Sequence, residues 1–522
     1  MAVLFFLAGC AFIPYLGLQD DEVLFAGGLY KTLEFEFAAR VFHRTVPLML
    51  LTYLGATKTL FYGVLLRIWP PSTWLVRIPA LILGVLTIWF LYLLARRLGG
   101  ARAGLLAAAL LATDPLFLLT DLCDWGPTAL FHALVTGALL SFVVFHRTRS
   151  QKKSQAALAV AFCCLGLGVW DKALFLWVLA ALAVGVAVVF PRELFRSLSP
   201  RNMAIAIVAF IVGAFPLLIY NVKLGNRTIG LNASFRFDEI GPKAHVLWRS
   251  LDGPVLFGWM VNDPDGTKAA QPANAFARIS VWLSNASGTP QSDLLGPALV
   301  AAVLLLPMLW RTRVRKPILF ALAVGFMTWM QMAITRNAGG AAHHTVLLWP
   351  LPHLVIALAF SEISRVLSRV SRAGFALVVA AACLVVGANA LVVNQYFAQA
   401  VQYGGALNFT DAIYPLSDYL NNSPGETIFV NDWGMQNCLR LLLRGRSTIQ
   451  FSADADKQTM RRRLAAPKQA FVCHTEGNEF YPGSSARLQS IAEESGYRKA
   501  GDNVIGDSHG RAIFEVFRFA AR

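Results

Sequence analysis

The chain has 522 residues, of which 56% are hydrophobic and only 15% are charged. Soluble domains carry about a quarter charged residues, so this composition excludes an ordinary soluble protein and indicates a polytopic helical membrane protein. A net charge of +16 favours nucleic-acid binding in a soluble protein, but here the basic residues form short clusters between apolar segments, and we expect no nucleic-acid partner.

Eleven apolar segments are predicted to be transmembrane helices. They lie near residues 1–16, 74–95, 103–120, 126–146, 155–170, 173–190, 203–222, 294–310, 317–334, 344–361 and 373–393. Segment 52–71 is also apolar, but Lys58 and Arg67 interrupt it and two prolines end it. We interpret it as a helix lying on the membrane surface, because counting it as a span would invert the topology of everything that follows.

The distribution of basic residues orients these helices. Alternate loops carry 17 Lys and Arg residues, whereas the short loops on the opposite side carry two. The positive-inside rule places the basic loops in the cytoplasm. The N-terminus is therefore predicted to be cytoplasmic, with the first outer loop at 17–73 and a large outer loop at 223–293 on the opposite side.

After about residue 394 the hydropathy falls. Strand patterns such as "TIFVND", "STIQF", "QAFVCHT" and "AIFEVFRF" alternate with helical stretches such as "ARLQSIAEESG". This alternation is typical of a small α/β domain. We therefore predict an all-α transmembrane domain over residues 1–393 and a periplasmic α/β domain over residues 394–522.

Three acids, Asp20, Asp21 and Glu22, follow the first apolar segment in "GLQDDEVLFAGGLY". One interpretation is a solvated helix end. The other is a catalytic carboxylate, since a general base benefits from partial desolvation and neighbouring acids raise its pKa.

Further polar residues fall on the same outer side, and ionisable groups at a membrane often mark a functional site. They are Lys58, Asp121, Asp124, Lys172, Arg336, His343 and His344. Each has an alternative structural interpretation. Lys58 suits a lysine extending to the membrane surface, Asp124 suits a helix cap, and Lys172 suits a partner of Asp171.

The two histidines are adjacent in sequence, so at most one is expected to point from a helix into a shared cavity. No strong metal-binding spacing is present; no cofactor is required, and a divalent metal ion remains an alternative. The turn "NDPDG" contains Asp263 and Asp265, which either form a simple turn or contact an acceptor. Cys438 and Cys473 lie in the outer domain, where a disulfide is permitted.

Several stretches together resemble one family. "GLQDDEVLFA", then "LGATKTLFYGVLLRIW", then "RIPALILG" with "ARRLGG" at the end of its span are similar to the GT-C membrane glycosyltransferases. The resemblance is to the group of protein O-mannosyltransferases and the bacterial aminoarabinose transferase of lipid A. It covers about residues 10–190, and the interfacial segment departs from the family because it lacks the prolines that follow the Lys or His.

The resemblance implies that Asp21 is the general base, with Glu22 or Asp20 as its neighbour and Asp124 as a second outward acid. It also implies a polyprenyl-phosphate sugar as donor. The donor phosphate would be bound by cations and imidazoles, namely Lys58, Lys172, Arg336, His343 and His344.

We therefore expect a glycosyltransferase of a bacterial inner membrane, whose partners are the lipid-linked donor, an envelope acceptor (protein, lipid or glycan) and the bilayer. The alternatives are a transporter or flippase, and a non-catalytic scaffold or sensor. A transporter favours charges near the midpoints of its spans, whereas this sequence gathers them at one face.

Overall fold

The computed structural model describes residues 1–30, 35–232, 234–264, 267–288, 292–423 and 425–522. Its first four hundred or so residues form a helical bundle, and a five-stranded sheet with flanking helices follows.

Within the described residues, six helices are long and apolar enough to cross a membrane. They are Thr73–Gly99, Ala129–Arg147, Gln151–Asp171, Pro200–Leu224, Arg315–Ile334 and Arg372–Tyr403. Three bent pairs raise the number to nine if each counts as one span. They are Ala101–Thr113 with Pro115–Leu122, Phe175–Val189 with Pro191–Ser197, and Ala342–Leu348 with Leu351–Leu367.

Two shorter apolar helical stretches, Ala2–Tyr15 and Leu295–Leu304, account for the remaining predicted segments. Each of the eleven predicted segments is therefore helical in the structure. The predicted number of eleven transmembrane helices is not confirmed, because two of these stretches are shorter than a usual span of about 20 residues.

The remaining helices are short connections in the bundle and helices packed on the terminal sheet. They are Leu24–Gly27, Thr57–Ile68, Arg227–Asn232, Ile240–Leu251, Ala275–Ser287, Leu306–Leu309, Ile413–Asn421, Gln436–Leu442, Lys457–Leu464 and Ser484–Glu494.

Helix Thr57–Ile68 occupies the segment that was expected to lie on the membrane surface. Its twelve residues are too few to span a bilayer. It buries Lys58 and Tyr62 on one face and exposes Phe61 and Val64 on the other. The helix is therefore amphipathic in the way that an interfacial helix requires.

Asp114 connects two of the bent pairs. It lies at the 61° bend before Pro115, where its Oδ1 accepts a hydrogen bond from the Phe117 amide at 2.6 Å. Its Oδ2 accepts from Trp349 Nε1 at 2.9 Å and lies 3.0 Å from His353 Nε2. One buried carboxylate thus caps one bent helix and holds the other against it.

The first outer loop contains a small sheet that the sequence did not predict. Its antiparallel strands are β1 (Phe37–Val41), β2 (Arg44–Leu51) and β3 (Leu54–Gly55). Leu54 of β3 also pairs with Lys172, at the end of helix Gln151–Asp171. The sheet therefore connects the first outer loop to the end of that helix.

The terminal sheet has the strand order β5-β4-β6-β8-β7. Its strands are β4 (Thr427–Val430), β5 (Thr448–Phe451), β6 (Gln469–His474), β7 (Tyr497–Gly506) and β8 (Ala512–Ala521). Strand β4 pairs in parallel with β5 and β6, whereas β8 is antiparallel to β6 and β7. The predicted α/β character is correct, although β7 was not predicted.

Both faces of this sheet are buried. One face packs on the acidic segment of the first outer loop, so that Val23 and Phe25 share a core with Ile428 and Cys438. The other face packs on its own helices and contains Cys473. Cys438 and Cys473 are both free thiols, so the disulfide that the compartment permits is not formed.

Candidate active site

The loop after the first helix, residues 16–23, is called the acidic loop here. The side chain of Gln19 organises it, since its Oε1 accepts hydrogen bonds from the Asp21 amide at 2.8 Å and the Glu22 amide at 3.0 Å. The Gln19 amide in turn donates to Glu22 Oε2 at 3.2 Å. This tight turn directs the three consecutive acids to different surroundings.

Glu22 is paired with a buried arginine. Arg77 donates to the Glu22 carboxylate from Nε at 2.6 Å and from Nη2 at 3.0 Å, and both side chains are fully buried. Arg77 also donates to the carbonyl oxygens of Leu16 and Gly17. The predicted catalytic neighbour Glu22 therefore holds the acidic loop onto helix Thr73–Gly99.

Asp20 contacts the terminal domain. Its carboxylate accepts two hydrogen bonds of 2.7 Å, one from the amide nitrogen of Asn437 and one from its side chain. Asn437 lies in helix Gln436–Leu442, which packs against the acidic loop. Asp20 thus anchors the terminal domain to the loop.

Asp21 is the acid of the three that keeps part of its surface accessible. Burial and, second, the negative charge of Asp20 raise its pKa to about 6, although Lys172, Gln19 and Trp125 oppose the shift. A carboxyl with this pKa is largely deprotonated at neutral pH and is a stronger base than an ordinary aspartate.

Lys58 and Asp124 form a buried ion pair. Asp124 also accepts a hydrogen bond from the Ala129 amide at 3.0 Å, at the start of helix Ala129–Arg147. The ammonium group of Lys58 lies 4.0 Å from the ring centroid of Phe25. The structure is thus compatible with Asp124 as a helix cap and with Asp124 as a site residue. It lies at the start of a helix, and it contacts Lys58, which is predicted to bind the donor phosphate.

Lys172 lies just beyond helix Gln151–Asp171 and donates to the carbonyl oxygen of Gly126. Burial, followed by the positive charge of Lys58, lowers the pKa of Lys172 to about 8, while the charges of Asp171, Asp21 and Asp124 oppose that change. Asp171 itself accepts from Thr57. Two buried lysines, Lys58 and Lys172, therefore lie among acids beside Asp21. Asp171 and Lys172 were predicted to pair, and they interact through their charges.

His343 and His344 lie in a single helical turn, Ala342–Thr345, with ring centroids 4.1 Å apart. The two rings therefore lie against each other, and the expectation that at most one of them points into a shared cavity stays a prediction. His343 packs on Trp125 at 4.6 Å and on Gly126, where an added Cβ would lie 2.7 Å from the imidazole. Gly126 has φ of +69°, so both space and conformation favour glycine.

Other predicted residues lie apart from this group. Asp121 is buried in the bundle and bonds to His132 Nδ1 at 2.8 Å. Asp263 and Arg336 are exposed. Asp265 lies outside the described residues.

Several further residues contribute to this site and were not predicted from the sequence. Tyr53 lies close enough to Asp21 for the carboxylate, after burial, to raise its pKa. Trp125 interacts with Asp21 and stacks on Trp259 at 5.6 Å. Both tryptophans are close in sequence to acids that were predicted site residues, Trp125 beside Asp124 and Trp259 four positions before Asp263. Among the described residues, no group of three His, Cys, Asp or Glu side chains is arranged to hold a metal ion.

Comparison with known proteins agrees with this architecture. Residues 58–220, less than half of the chain, match the family model described as dolichyl-phosphate-mannose-protein mannosyltransferase. No curated protein matched the sequence.

Among solved structures, ArnT from Cupriavidus metallidurans bound to undecaprenyl phosphate is 12% identical with a TM-score of 0.59, and the match covers 98% of this chain and 96% of that one. The oligosaccharyltransferase AglB from Archaeoglobus fulgidus, with an inhibitory peptide and a dolichol-phosphate, is 12% identical with a TM-score of 0.51, over 100% and 74% of the two chains. The chain therefore has the GT-C fold of membrane glycosyltransferases and resembles ArnT and the mannosyltransferase family.

Proposed function

We propose that the chain is a glycosyltransferase that moves a sugar from a polyprenyl-phosphate donor to an acceptor on the outer side of the membrane, with Asp21 as general base. The observation that carries this proposal is that the three adjacent acids have different partners and different exposure. Asp20 and Glu22 bind Asn437 and Arg77, whereas Asp21 stays partly exposed beside buried cations. The lipids in the ArnT and AglB structures support a polyprenyl-type donor.

The reaction that suits this geometry is a single displacement. The acceptor hydroxyl or amine loses its proton to the Asp21 carboxylate as its heteroatom bonds to the anomeric carbon of the sugar. The bond between that carbon and the phosphate oxygen breaks, and the lipid phosphate leaves with an added negative charge. Lys172 and Lys58 stabilise this charge, and displacement from one face inverts the anomeric configuration.

The remaining predicted residues have supporting roles in this proposal. Asp124 holds Lys58 in position, and Glu22 and Asp20 fix the acidic loop. Exposed Arg336 is proposed to contact the donor phosphate, and the exposed Asp263 is proposed to contact the acceptor. The membrane is proposed to be the bacterial inner membrane, with the site on the periplasmic side, because the loops on the other side carry most of the Lys and Arg residues.

A matched pair of variants tests this function. Asp21→Asn keeps the size of the side chain and removes the base, so transfer from a radiolabelled undecaprenyl-phosphate sugar to envelope acceptors is expected to fall by about 10²- to 10⁴-fold. Asp238→Asn is the control, since Asp238 is exposed and its ion pair is with Arg236, which is also exposed. Transfer by folded Asp21→Asn at the wild-type rate would contradict the assignment.

A further inference from the structure

Four aromatic rings form a continuous column beside Asp21. Trp259 stacks on Trp125 with centroids 5.6 Å apart, Trp125 packs on His343 at 4.6 Å, and His343 packs on His344 at 4.1 Å. Trp125 also interacts with the Asp21 carboxylate. The column therefore passes the proposed base at Trp125, its second ring, with Trp259 on one side and the two imidazoles on the other.

Three ring nitrogens of this column are buried yet make no hydrogen bond within the described residues. They are Trp259 Nε1, His343 Nδ1 and His344 Nδ1. A buried polar atom without a partner destabilises a protein, so three such atoms around one column point to a polar ligand. The Trp259 side chain itself remains partly accessible, as a ligand-contacting group must.

The backbone around Trp259 is held on both sides. Phe257 stacks on Tyr396 with centroids 3.8 Å apart, and the Tyr396 hydroxyl donates to the Gly253 carbonyl at 2.8 Å and accepts from the Leu256 amide at 3.0 Å. The Met260 carbonyl accepts from the Ala406 amide at 3.0 Å. These contacts fix the loop and therefore place the indole of Trp259 firmly on Trp125.

We propose that Trp259, together with His343 and His344, recognises the sugar ring of the donor. This inference rests on the proposed function and assigns a subsite within it. A sugar hydroxyl both donates and accepts hydrogen bonds, which suits an indole N–H beside imidazole nitrogens. A phosphate oxygen only accepts, which suits the neighbouring lysines. The apolar ring faces offer a surface for the C–H groups of a sugar.

The test compares two tryptophans of the same kind. Trp259→Phe keeps a ring in the column and removes the N–H. Trp329→Phe is the matched control, because Trp329 Nε1 is also buried without a partner within the described residues but lies in helix Arg315–Ile334, outside the column. Affinities are measured by native mass spectrometry of the full-length protein, with undecaprenyl phosphate and with undecaprenyl phosphate carrying mannose, glucose, galactose or aminoarabinose.

We expect the wild type to bind at least one sugar-bearing lipid more tightly than the bare lipid. Trp259→Phe should weaken binding of that lipid by about tenfold, the effect of one lost hydrogen bond, and leave the bare lipid unchanged. Trp329→Phe should change neither affinity.

Equal effects of Trp259→Phe on the two lipids, or no effect on either, would overturn the sugar subsite. A wild type that binds sugar-bearing and bare lipid equally well would also overturn it. Either result would leave the glycosyltransferase proposal intact. A wild type that binds no polyprenyl phosphate at all would overturn both proposals.

Discussion

At the scale of single residues, the acidic loop shows how neighbours acquire separate tasks. Asp20, Asp21 and Glu22 follow one another in sequence, yet one binds the terminal domain, one remains available to solvent and one binds Arg77. The carboxylates of Asp20 and Glu22 fix the loop. Asp21 therefore has a defined position although its own carboxylate forms no ion pair of this kind with the described residues. Pre-positioning of this kind is what a general base requires.

The pKa values of Asp21 and Lys172 predict a bell-shaped pH dependence of transfer. Asp21 must be deprotonated, so the rate should fall as pH decreases below about 6. Lys172 must be protonated to stabilise the leaving phosphate, so the rate should fall as pH rises above about 8. Initial rates between pH 4.5 and 9.5 check both limbs. In Lys172→Gln the alkaline limb should disappear, and its persistence would assign that limb to another group.

The buried pair of Glu22 and Arg77 predicts a large loss of stability in Glu22→Gln. Removing one partner of a buried ion pair leaves an uncompensated charge, which typically costs about 3–5 kcal/mol. Glu193→Gln is the control, because its pair with Lys316 is partly exposed and such pairs contribute about 0–1 kcal/mol. Thermal unfolding in detergent should show a much lower midpoint for the first variant than for the second, and equal midpoints would contradict this account.

Part of the candidate site could be predicted from sequence, because the asymmetry of the basic loops predicts one common face for Asp21, Lys58, Asp124, Lys172 and the histidines. Individual partners could not be predicted in the same way. The partner of Asp20 lies 417 positions away, in a helix whose packing only the folded chain reveals. Trp259 could not be predicted as a site residue, because aromatic residues are common in an apolar chain and most of them only pack in the core.

At the scale of elements, the bends within helix pairs contribute to the position of the site residues as much as the long helices do. Asp114 caps the helix that begins at Pro115 and at the same time bonds to Trp349 and lies against His353 in the second bent pair. That second pair begins with the turn that carries His343 and His344. Its packing against Asp114 therefore supports the placement of the imidazoles at the site.

Replacing Asp114 by alanine should be more damaging than removing an ordinary helix cap. Ser72→Ala loses a single cap, the hydrogen bond from the Leu75 amide, at a cost of about 1 kcal/mol. Asp114→Ala loses a cap and leaves the Trp349 and His353 donors buried without partners, which adds about 1–3 kcal/mol for each. The midpoint of thermal unfolding measures the difference, and a smaller loss in Asp114→Ala than in Ser72→Ala would contradict the bracing role.

The strands that were not predicted, β1–β3 and β7, lack a clear pattern of buried apolar positions. Strands β1–β3 lack the regular alternation of polar and apolar residues that marks a half-buried strand. Strand β7 is largely exposed at the edge of its sheet, so its sequence carries few buried positions. Buried elements, by contrast, were recognisable from their hydrophobic patterns.

At the scale of the whole molecule, the proposed orientation is testable by cysteine labelling. Arg149→Cys lies in a basic loop, Asp238→Cys in the large outer loop and Glu494→Cys in the terminal domain. In a background with the exposed Cys383 replaced by serine, a membrane-impermeant maleimide should label the last two in intact spheroplasts, and the first only after permeabilisation. Labelling of position 149 in intact spheroplasts would invert the topology.

The contact between Asp20 and Asn437 also has a consequence for biosynthesis. Gly17 lies so close to the Thr410 carbonyl that an added Cβ would approach it to 1.9 Å, so the acidic loop also fits tightly against the segment that leads into the terminal domain. The ribosome makes Arg77 soon after the acidic loop, but it makes Thr410 and Asn437 several hundred residues later. A partly translated chain therefore has the ion pair of Glu22 before it has the partner of Asp20, and the loop is expected to take its final arrangement only when helix Gln436–Leu442 has been made.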